Sequence, residues 1–318
     1  MIQYLASIAQ EISNAPATKA KATKSLRFAE NERAEVATPT SQLERKILQA
    51  NPVLEAFGNA QTVRNNNSSR FGKFVRIEFN GSGQITGANI EWYLLEKSRV
   101  SHQTAKERNY HIFYQLLRCS DRALQAELLF DAPPHPSQYA YLAGSNLNET
   151  IIPDAEEFDS IREAMDIMAF SKEEQNQFFK TCATILHFSN MKFTAEDNDQ
   201  AALATEGVAA LEKASHLLGV SSTHLSSAFL RPRIKAGRDW VTQSRNVEQV
   251  RYSVEALSRA LYERMFGRLV SRINQAMDSP KQSTNFIGVL DIAGFEIFEV
   301  LFLRASLSFS MPPSHLAI

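Results

Sequence analysis

The strongest constraint on how this chain can fold is an apolar stripe in residues 247–277. Apolar side chains recur there at every third or fourth position, which is the spacing of one helical face: Val250, Val254, Leu257, Leu261, Met265, Leu269 and Ile273. The pattern predicts one long helix whose stripe runs for about seven turns. On an isolated helix such a stripe would be a large exposed apolar patch, so the helix is expected to pack against a large part of the fold. Its opposite face, with Arg251, Arg259 and Arg268, is expected to meet solvent or polar neighbours.

The composition is that of a globular protein and excludes several other classes of protein. Hydrophobic residues make up 44% of the 318 positions, as in a globular protein. Lysine and arginine total 34 against 35 acidic residues, so no overall positive field favours nucleic acid. Cys119 and Cys182 lack the spacing of a zinc site or a disulfide framework, and no run approaches the ~18 apolar residues of a membrane span. We therefore expect a cytoplasmic protein without a membrane span.

Periodicity and breaker residues predict several further elements. Helices are predicted over residues 104–129, 155–169, 172–188 and 205–218. A short helical pair is predicted from Leu43 onward, with Pro52 limiting its first member and Gly58 closing the second. Residues 14–41 lose apolar periodicity and gain Ala, Thr, Lys and Glu, which predicts a flexible surface loop.

Residues 73–95 have the pattern of a β-hairpin. Phe74, Ile77 and Phe79 are interspersed with polar residues, and the turn formers at 80–83 separate them from a second extended stretch. The glycines at 81, 83 and 87 approximate a dinucleotide-binding fingerprint. That fingerprint joins a strand to a helix, whereas strands are predicted on both sides here, so a tight turn is favoured.

Two polar segments carry residue types that handle phosphate. Residues 65–74 are an Asn- and Ser-rich loop in front of the hairpin, with hydroxyls that can bind Mg²⁺ and an arginine that can form bidentate ion pairs. Residues 286–296 predict a buried central strand that ends at Asp291 and is followed by Gly294, an arrangement suited to Mg²⁺ and a γ-phosphate. Taken singly, each segment is also compatible with an ordinary turn.

Together the two segments resemble switch I and switch II of the myosin motor domain. The family patterns NxNSSRFGKF and DIxGFE are both complete here, and IQYLA, LQANPVLEAFGNAQTV, ILHFSN and RALYERMFGRLVSRIN accompany them in the family's order. The resemblance covers residues 1–300 and is to conventional, class II-like heavy chains. It implies an α/β fold, namely part of a P-loop NTPase motor head that is mostly helical, with a transducer β-hairpin and a central switch II strand.

The resemblance implies ATP and Mg²⁺ as ligands of switch I, residues 65–74. Asn65 would contact the nucleotide phosphates. Ser68 would hydrogen-bond the γ-phosphate and the attacking water. Ser69 would provide a hydroxyl ligand to Mg²⁺.

It implies matching roles in switch II. Asp291 would hold Mg²⁺ through water, and the Gly294 amide would sense the γ-phosphate. Arg70 would pair with Glu296 to close the site around the lytic water, which in the resembled family couples hydrolysis to movement.

The phosphate-cradling motif GxxxxGK[ST] does not occur in the 318 residues. In the resembled family that loop lies just before the IQYLA segment, so the chain is expected to begin after it and to have no significant Mg·ATPase activity by itself. Residues 301–318 lack helical periodicity and contain Pro312 and Pro313, so a divergent tail is expected there. Light-chain motifs and a dimerising tail are not expected in this chain either.

Residues 231–247 resemble the family's surface loop near the actin interface. The loop is basic, which suits an acidic filament, through Arg231, Arg233, Lys235, Arg238 and Arg245. One hypothesis is that the chain is a fragment of an actin-activated ATPase motor of the cytoskeleton. The alternative is a non-catalytic actin- or partner-binding fragment. A generic helical scaffold would require both switch patterns to be coincidental.

Overall fold

The computed structural model describes residues 39–145, 152–278 and 284–292. The helices are α1 (Pro39–Gly58), α2 (His111–Arg118), α3 (Arg122–Glu127), α4 (Asp154–Ile167), α5 (Lys172–Ser189), α6 (Thr205–Leu218), α7 (Ser222–Leu230) and α8 (Val247–Met277). The strands are β1 (Asn59–Ala60), β2 (Ser68–Ser69), β3 (Gly72–Phe79), β4 (Ile85–Tyr93), β5 (Phe193–Ala195), β6 (Ala201–Leu203), β7 (Arg233–Ala236), β8 (Asp239–Thr242) and β9 (Asn285–Asp291). None of the described helices is long and apolar enough to cross a membrane.

The long helix is confirmed with the predicted bounds. Its first turn is closed by a capping box, in which the Gln249 backbone N–H donates to Asn246 Oδ1 (3.0 Å) and the Asn246 N–H donates to Gln249 Oε1 (3.1 Å). Most of the stripe is buried, whereas Leu257 and Leu261 are half-buried. The helix joins two apolar clusters, because its first half packs with α6 and α7 and its second half enters the larger core.

The opposite face of α8 meets solvent or polar neighbours, as predicted. Arg251 and Arg268 are exposed, as predicted. Arg259 is partly buried, with its guanidinium 3.7 Å from the carboxylate of Glu255 one turn earlier.

The predicted hairpin is also confirmed. Strand β3 pairs antiparallel with β4, from Gly72 opposite Tyr93 to Phe79 opposite Ile85. The Asn80 carboxamide oxygen organises the turn, accepting from the backbone N–H groups of Ser82 (3.1 Å) and Gln84 (3.0 Å). Gly83 has a φ of 82°, a conformation in which a side chain would be strained.

Strand β9 corrects the expectation of a buried central strand. It adds to the hairpin to give the order β4-β3-β9, and among the described residues its only strand neighbour is β3. Phe286, Ile287 and Leu290 are exposed, with Phe286 at 57% and Leu290 at 60%, whereas Val289 is half-buried. An apolar strand is buried only where another layer covers its face, which local composition cannot predict.

Three helical predictions also need correction. The expected pair around Pro52 is the single helix α1, whose buried Ile47, Val53 and Leu54 offset the backbone hydrogen bond that proline cannot donate. That helix begins at Pro39, so the last three residues of the predicted loop 14–41 are helical, while residues 14–38 lie outside the described part. The expected helix 104–129 is divided into α2 and α3. Helix α7 was not predicted.

Candidate functional site

The segment 65–74 begins as a tight loop and ends in the central strand of the hairpin sheet. Strands β1 and β2 close the loop, with Asn59 opposite Ser69 and Ala60 opposite Ser68. Asn65 lies at the exposed end, where its backbone oxygen accepts from Thr62 N–H (2.9 Å). Its side-chain oxygen accepts from the Asn67 N–H (2.8 Å), so Asn65 also shapes the turn.

Asn67 anchors this loop to the helices behind it. It donates from Nδ2 to Glu55 Oε2 on α1 (2.9 Å), and its Oδ1 accepts from Asn59 Nδ2 (3.0 Å). The same oxygen lies 3.2 Å from His111 Nε2 on α2. Asn67 could not be distinguished by sequence from Asn65 and Asn66, because the role of each of three consecutive asparagines depends on the residues it contacts in the fold.

Ser68 is buried, and Ser69 and Arg70 are half-buried. The Arg70 guanidinium donates from Nη1 to Ser68 Oγ (3.0 Å) and from Nε to Glu96 Oε2 (2.5 Å). The Arg70 N–H donates to the Gly58 carbonyl (2.8 Å), which ties the segment to the end of α1. Gly58 is required there, because a Cβ would lie 2.3 Å from the Phe71 ring.

Glu96 is a second residue that the sequence analysis missed. Besides Arg70, it accepts from Arg99 through Nε to Oε2 (3.0 Å) and Nη2 to Oε1 (3.2 Å). Burial tends to raise the pKa of the Glu96 carboxyl, but the hydrogen bonds and charges of Arg99 and Arg70 outweigh burial and hold the pKa below its ordinary value. The predicted partner of Arg70, Glu296, lies outside the described residues, as does Gly294.

Asp291 is brought to the same region by strand pairing. Strand β3 runs antiparallel to β9 with Lys73 directly opposite Asp291, and Lys73 Nζ lies 3.0 Å from Asp291 Oδ2. The segment 65–74 and Asp291, which are distant in the sequence, therefore meet at one end of the sheet. A cleft of about 810 Å³ lies beside this end of the sheet, and the residues that line it include Ser69, Arg70, Gly72, Glu96, Leu290 and Ile292 but neither Lys73 nor Asp291.

The predicted basic loop 231–247 is a β-hairpin rather than an irregular loop. Strands β7 and β8 pair with Lys235 opposite Trp240, and every residue of both strands is exposed. The Arg233 guanidinium lies 5.9 Å from the centre of the Trp240 ring. Arg245 contributes less to the basic surface, since it donates from Nη1 to Ser253 Oγ (2.7 Å), and position 247 already belongs to α8.

We expect the chain to lose stability between about pH 7.5 and pH 5.5, because two buried histidines must remain neutral when folded. Burial, and secondarily the charge of Arg108, lower the pKa of His111 to about 3. Burial lowers the pKa of His187 to about 4, although its contact with the Leu128 carbonyl opposes this. The unfolded chain takes up protons near the ordinary pKa of 6.5 and the folded chain does not, so stability is present above 6.5 and falls below it.

The expected loss over this interval is about 1.4 kcal/mol for each histidine. It can be measured as the shift in urea unfolding midpoint between the two pH values. The variant carrying His111→Gln and His187→Gln should lose most of this pH dependence. A variant with the full wild-type dependence would assign it to other groups.

Comparison with known families gives a match across nearly the whole chain. The family model described as Myosin head (motor domain) matches residues 1–302. The chain is 50% identical over 261 residues to the non-muscle myosin heavy chain of Drosophila melanogaster, an alignment that covers 81% of this chain. It is 46% identical over 302 residues, 94% of its length, to Myosin-1 of Saccharomyces cerevisiae.

The relatives are much longer than this chain. The aligned region spans 12% of the fly protein and 14% of the budding-yeast protein. It spans 17% of myosin type-2 heavy chain 1 of Schizosaccharomyces pombe, which is 48% identical over 260 residues and 82% of this chain. Since the family model and the relatives agree over most of its length, the chain belongs to the myosin head (motor domain) family.

Proposed function

We propose that this chain supplies the two nucleotide-sensing segments of an actin-based cytoskeletal motor that couples ATP binding and hydrolysis to movement. The observation that carries the proposal is the pairing of β3 with β9, in which Lys73 lies opposite Asp291. This pairing aligns the segment 65–74 with the beginning of the segment 291–296. In a phosphate-loop NTPase, two such loops close on a γ-phosphate and open after hydrolysis, which converts bond cleavage into a change of shape.

The side chains at and next to the cleft fit Mg²⁺ and ATP by their chemistry. Mg²⁺ prefers oxygen ligands, and Ser69 offers a hydroxyl in the lining of the cleft. Asp291, half exposed on the adjoining strand between the lining residues Leu290 and Ile292, offers a carboxylate that can accept a metal-bound water. When bound, Mg²⁺ would neutralise charge on the nucleotide phosphates. Asn65 and Ser68 offer donors to phosphate oxygens from the neighbouring loop.

We further propose that Arg70 and Glu296 form the ion pair that closes the site, with the Gly294 amide contacting the γ-phosphate. Support comes from the family membership and from the place of Arg70, half-buried at the cleft and held by Ser68 and Glu96. The planar guanidinium of arginine matches the geometry of a carboxylate, which suits Arg70 to an ion pair of this kind.

MgATP turnover by the full-length product of the gene, with and without actin filaments, tests the proposal. Arg70→Ala or Asp291→Ala is expected to lower kcat by about 10²–10³-fold, the effect of removing one charge-stabilising group from a closed site. Glu78→Gln is the matched control, because the half-buried Glu78 pairs with the exposed Arg76 on the same hairpin and does not line the cleft. Turnover that both active-site variants leave intact would show that these segments do not serve hydrolysis.

The exposed hairpin formed by β7 and β8 supports actin as the partner. It presents Lys235 and Arg238 together with Trp240, which is 59% exposed, so it offers both positive charge and an aromatic contact to an acidic filament. Co-sedimentation of the full-length gene product with actin at low salt should fall several-fold in the variant Lys235→Glu/Arg238→Glu. Lys180→Glu, on α5, should leave it unchanged.

The same hairpin keeps a second function open, in which the chain binds actin or another acidic partner without catalysis. Actin binding that depends on Lys235 and Arg238, combined with no MgATP turnover by the full-length gene product, would favour it. Turnover that depends on Arg70 and Asp291 would favour the motor.

A further inference from the structure

Glu96 lies between two arginines and contacts the segment 65–74 through both its side chain and its backbone. Its Oε2 accepts from Arg70 Nε (2.5 Å) and from Arg99 Nε (3.0 Å). Its backbone N–H donates to the Arg70 carbonyl (2.9 Å), and its own carbonyl accepts from the buried Tyr110 hydroxyl (2.8 Å). Side chain and backbone together fix Glu96 relative to Arg70.

Arg99 makes this carboxylate rigid. Its side chain is 8% exposed, and besides its two bonds to Glu96 it donates from Nη1 to Glu107 Oε2 (3.0 Å) and to the Arg108 carbonyl (3.2 Å). The Arg108 N–H in turn donates to the Gln61 carbonyl at the other end of the loop (2.9 Å). A continuous polar network therefore connects Arg70, through Glu96 and Arg99, with Gln61, which precedes the segment 65–74.

The contact at Nε fixes the orientation of the Arg70 guanidinium. The group is planar, so a bond to Nε sets where its two terminal nitrogens point. Nη1 then donates to Ser68 Oγ at 3.0 Å. A serine hydroxyl that accepts from an arginine directs its own proton elsewhere, which leaves Ser68 as a donor for an anionic acceptor.

We propose that Glu96 is a positioning residue, which orients Arg70 and, through Arg70, sets the Ser68 hydroxyl as a donor toward the nucleotide. The role in turnover rests on the proposed function, whereas the orientation of Arg70 does not. A carboxylate that orients a functional side chain is comparable to the side chains that hydrogen-bond to metal ligands. Removal of such a supporting side chain lowers activity about 10–100-fold. Glu96 therefore matters for turnover through the orientation of Arg70.

Two measurements test this, one on the orientation and one on turnover. In the full chain with ¹⁵N-labelled arginine side chains, the Arg70 Nε–H signal is assigned by its disappearance in Arg70→Lys. Wild type should show a signal protected from solvent exchange, and Glu96→Gln should lose that protection because the amide no longer provides a charged acceptor. Glu107→Gln, which removes the other carboxylate partner of Arg99, should leave the Arg70 signal in place.

In the full-length gene product, Glu96→Gln should lower kcat for MgATP by about 10–100-fold with little change in KM, since the substrate still binds. An Arg70 signal that stays protected in Glu96→Gln would overturn the proposal, whatever the turnover of that variant. If Glu96→Gln loses the protection while the wild-type gene product shows no MgATP turnover, the orientation of Arg70 by Glu96 stands and the proposed function is defeated. Equal unfolding midpoints for wild type and Glu96→Gln confirm that the comparison is between folded chains.

Discussion

Replacing Asp154 with asparagine is expected to lower the free energy of unfolding by about 3–5 kcal/mol. Asp154 is 1% exposed and accepts from two arginines. The fully buried Arg108 donates from Nη2 to both carboxylate oxygens (2.8 and 2.9 Å), and Arg118 donates from Nη1 to Oδ2 (2.5 Å). The substitution keeps the size of the side chain and removes the negative charge to which both arginines donate.

The magnitude follows from the burial of Arg108. Its guanidinium lies 3.8 Å from the centre of the Tyr114 ring, and within the described residues its Nε and Nη1 have no hydrogen-bond partner. It cannot move into water without opening the packing between α2 and α4. An arginine left there without its carboxylate keeps the full cost of desolvation, whereas an exposed pair would simply be hydrated.

Urea unfolding followed by circular dichroism measures this loss. Asp131→Asn is the matched control, because Asp131 is 78% exposed and lies 2.7 Å from Lys213, so its loss should cost less than about 1 kcal/mol. A similar, small change for both variants would mean that the buried cluster is hydrated or rearranged in solution. Asp154→Asn could bring the chain close to unfolding, since domains of this kind are stable by about 5–15 kcal/mol.

The second large effect is expected for Phe266→Ala, at about 3–5 kcal/mol. Phe266 lies on α8 with no exposed surface and contacts two aromatic rings edge to face, Phe71 at 4.9 Å and Trp92 at 5.3 Å between centroids. Truncation removes both contacts and leaves a cavity where α8 meets the start of β3 and the end of β4. The neighbouring rings are themselves fixed by the sheet and can fill that space only partly.

Thermal and urea unfolding measure the effect, and tryptophan fluorescence reports the site, because Trp92 lies against the lost ring. Tyr252→Ala is the control on the same helix, since Tyr252 is 67% exposed and its removal should change stability by about 0.5 kcal/mol at most. If the two variants were equally stable, the junction between α8 and the hairpin would not be packed as described. Because Phe71 belongs to the segment 65–74, Phe266→Ala should also weaken any activity of the cleft.

Local sequence was sufficient for the elements whose signals are local. The helix Val247–Met277 has its stripe and its cap within one continuous segment, and the hairpin has alternating residues around an Asn-Gly turn. Local sequence was not sufficient at Pro52 and at Asn285–Asp291, where packing determines the helix and the exposure of the strand. A proline was tolerated inside a helix with a well-buried face, and an apolar strand was left exposed at the edge of the sheet.

The same division holds for the candidate site. The family and the residue types of both polar segments could be predicted from the sequence, because each pattern is contiguous and its side chains keep their chemistry in any fold. The contacts of Asp291 with Lys73, of Glu96 with Arg70, and of Asn67 with Glu55 became known only from the folded chain. These contacts join residues that are distant in sequence, and their partners are ordinary polar side chains. Which of them meet depends on strand register and helix packing, which no short stretch of sequence specifies.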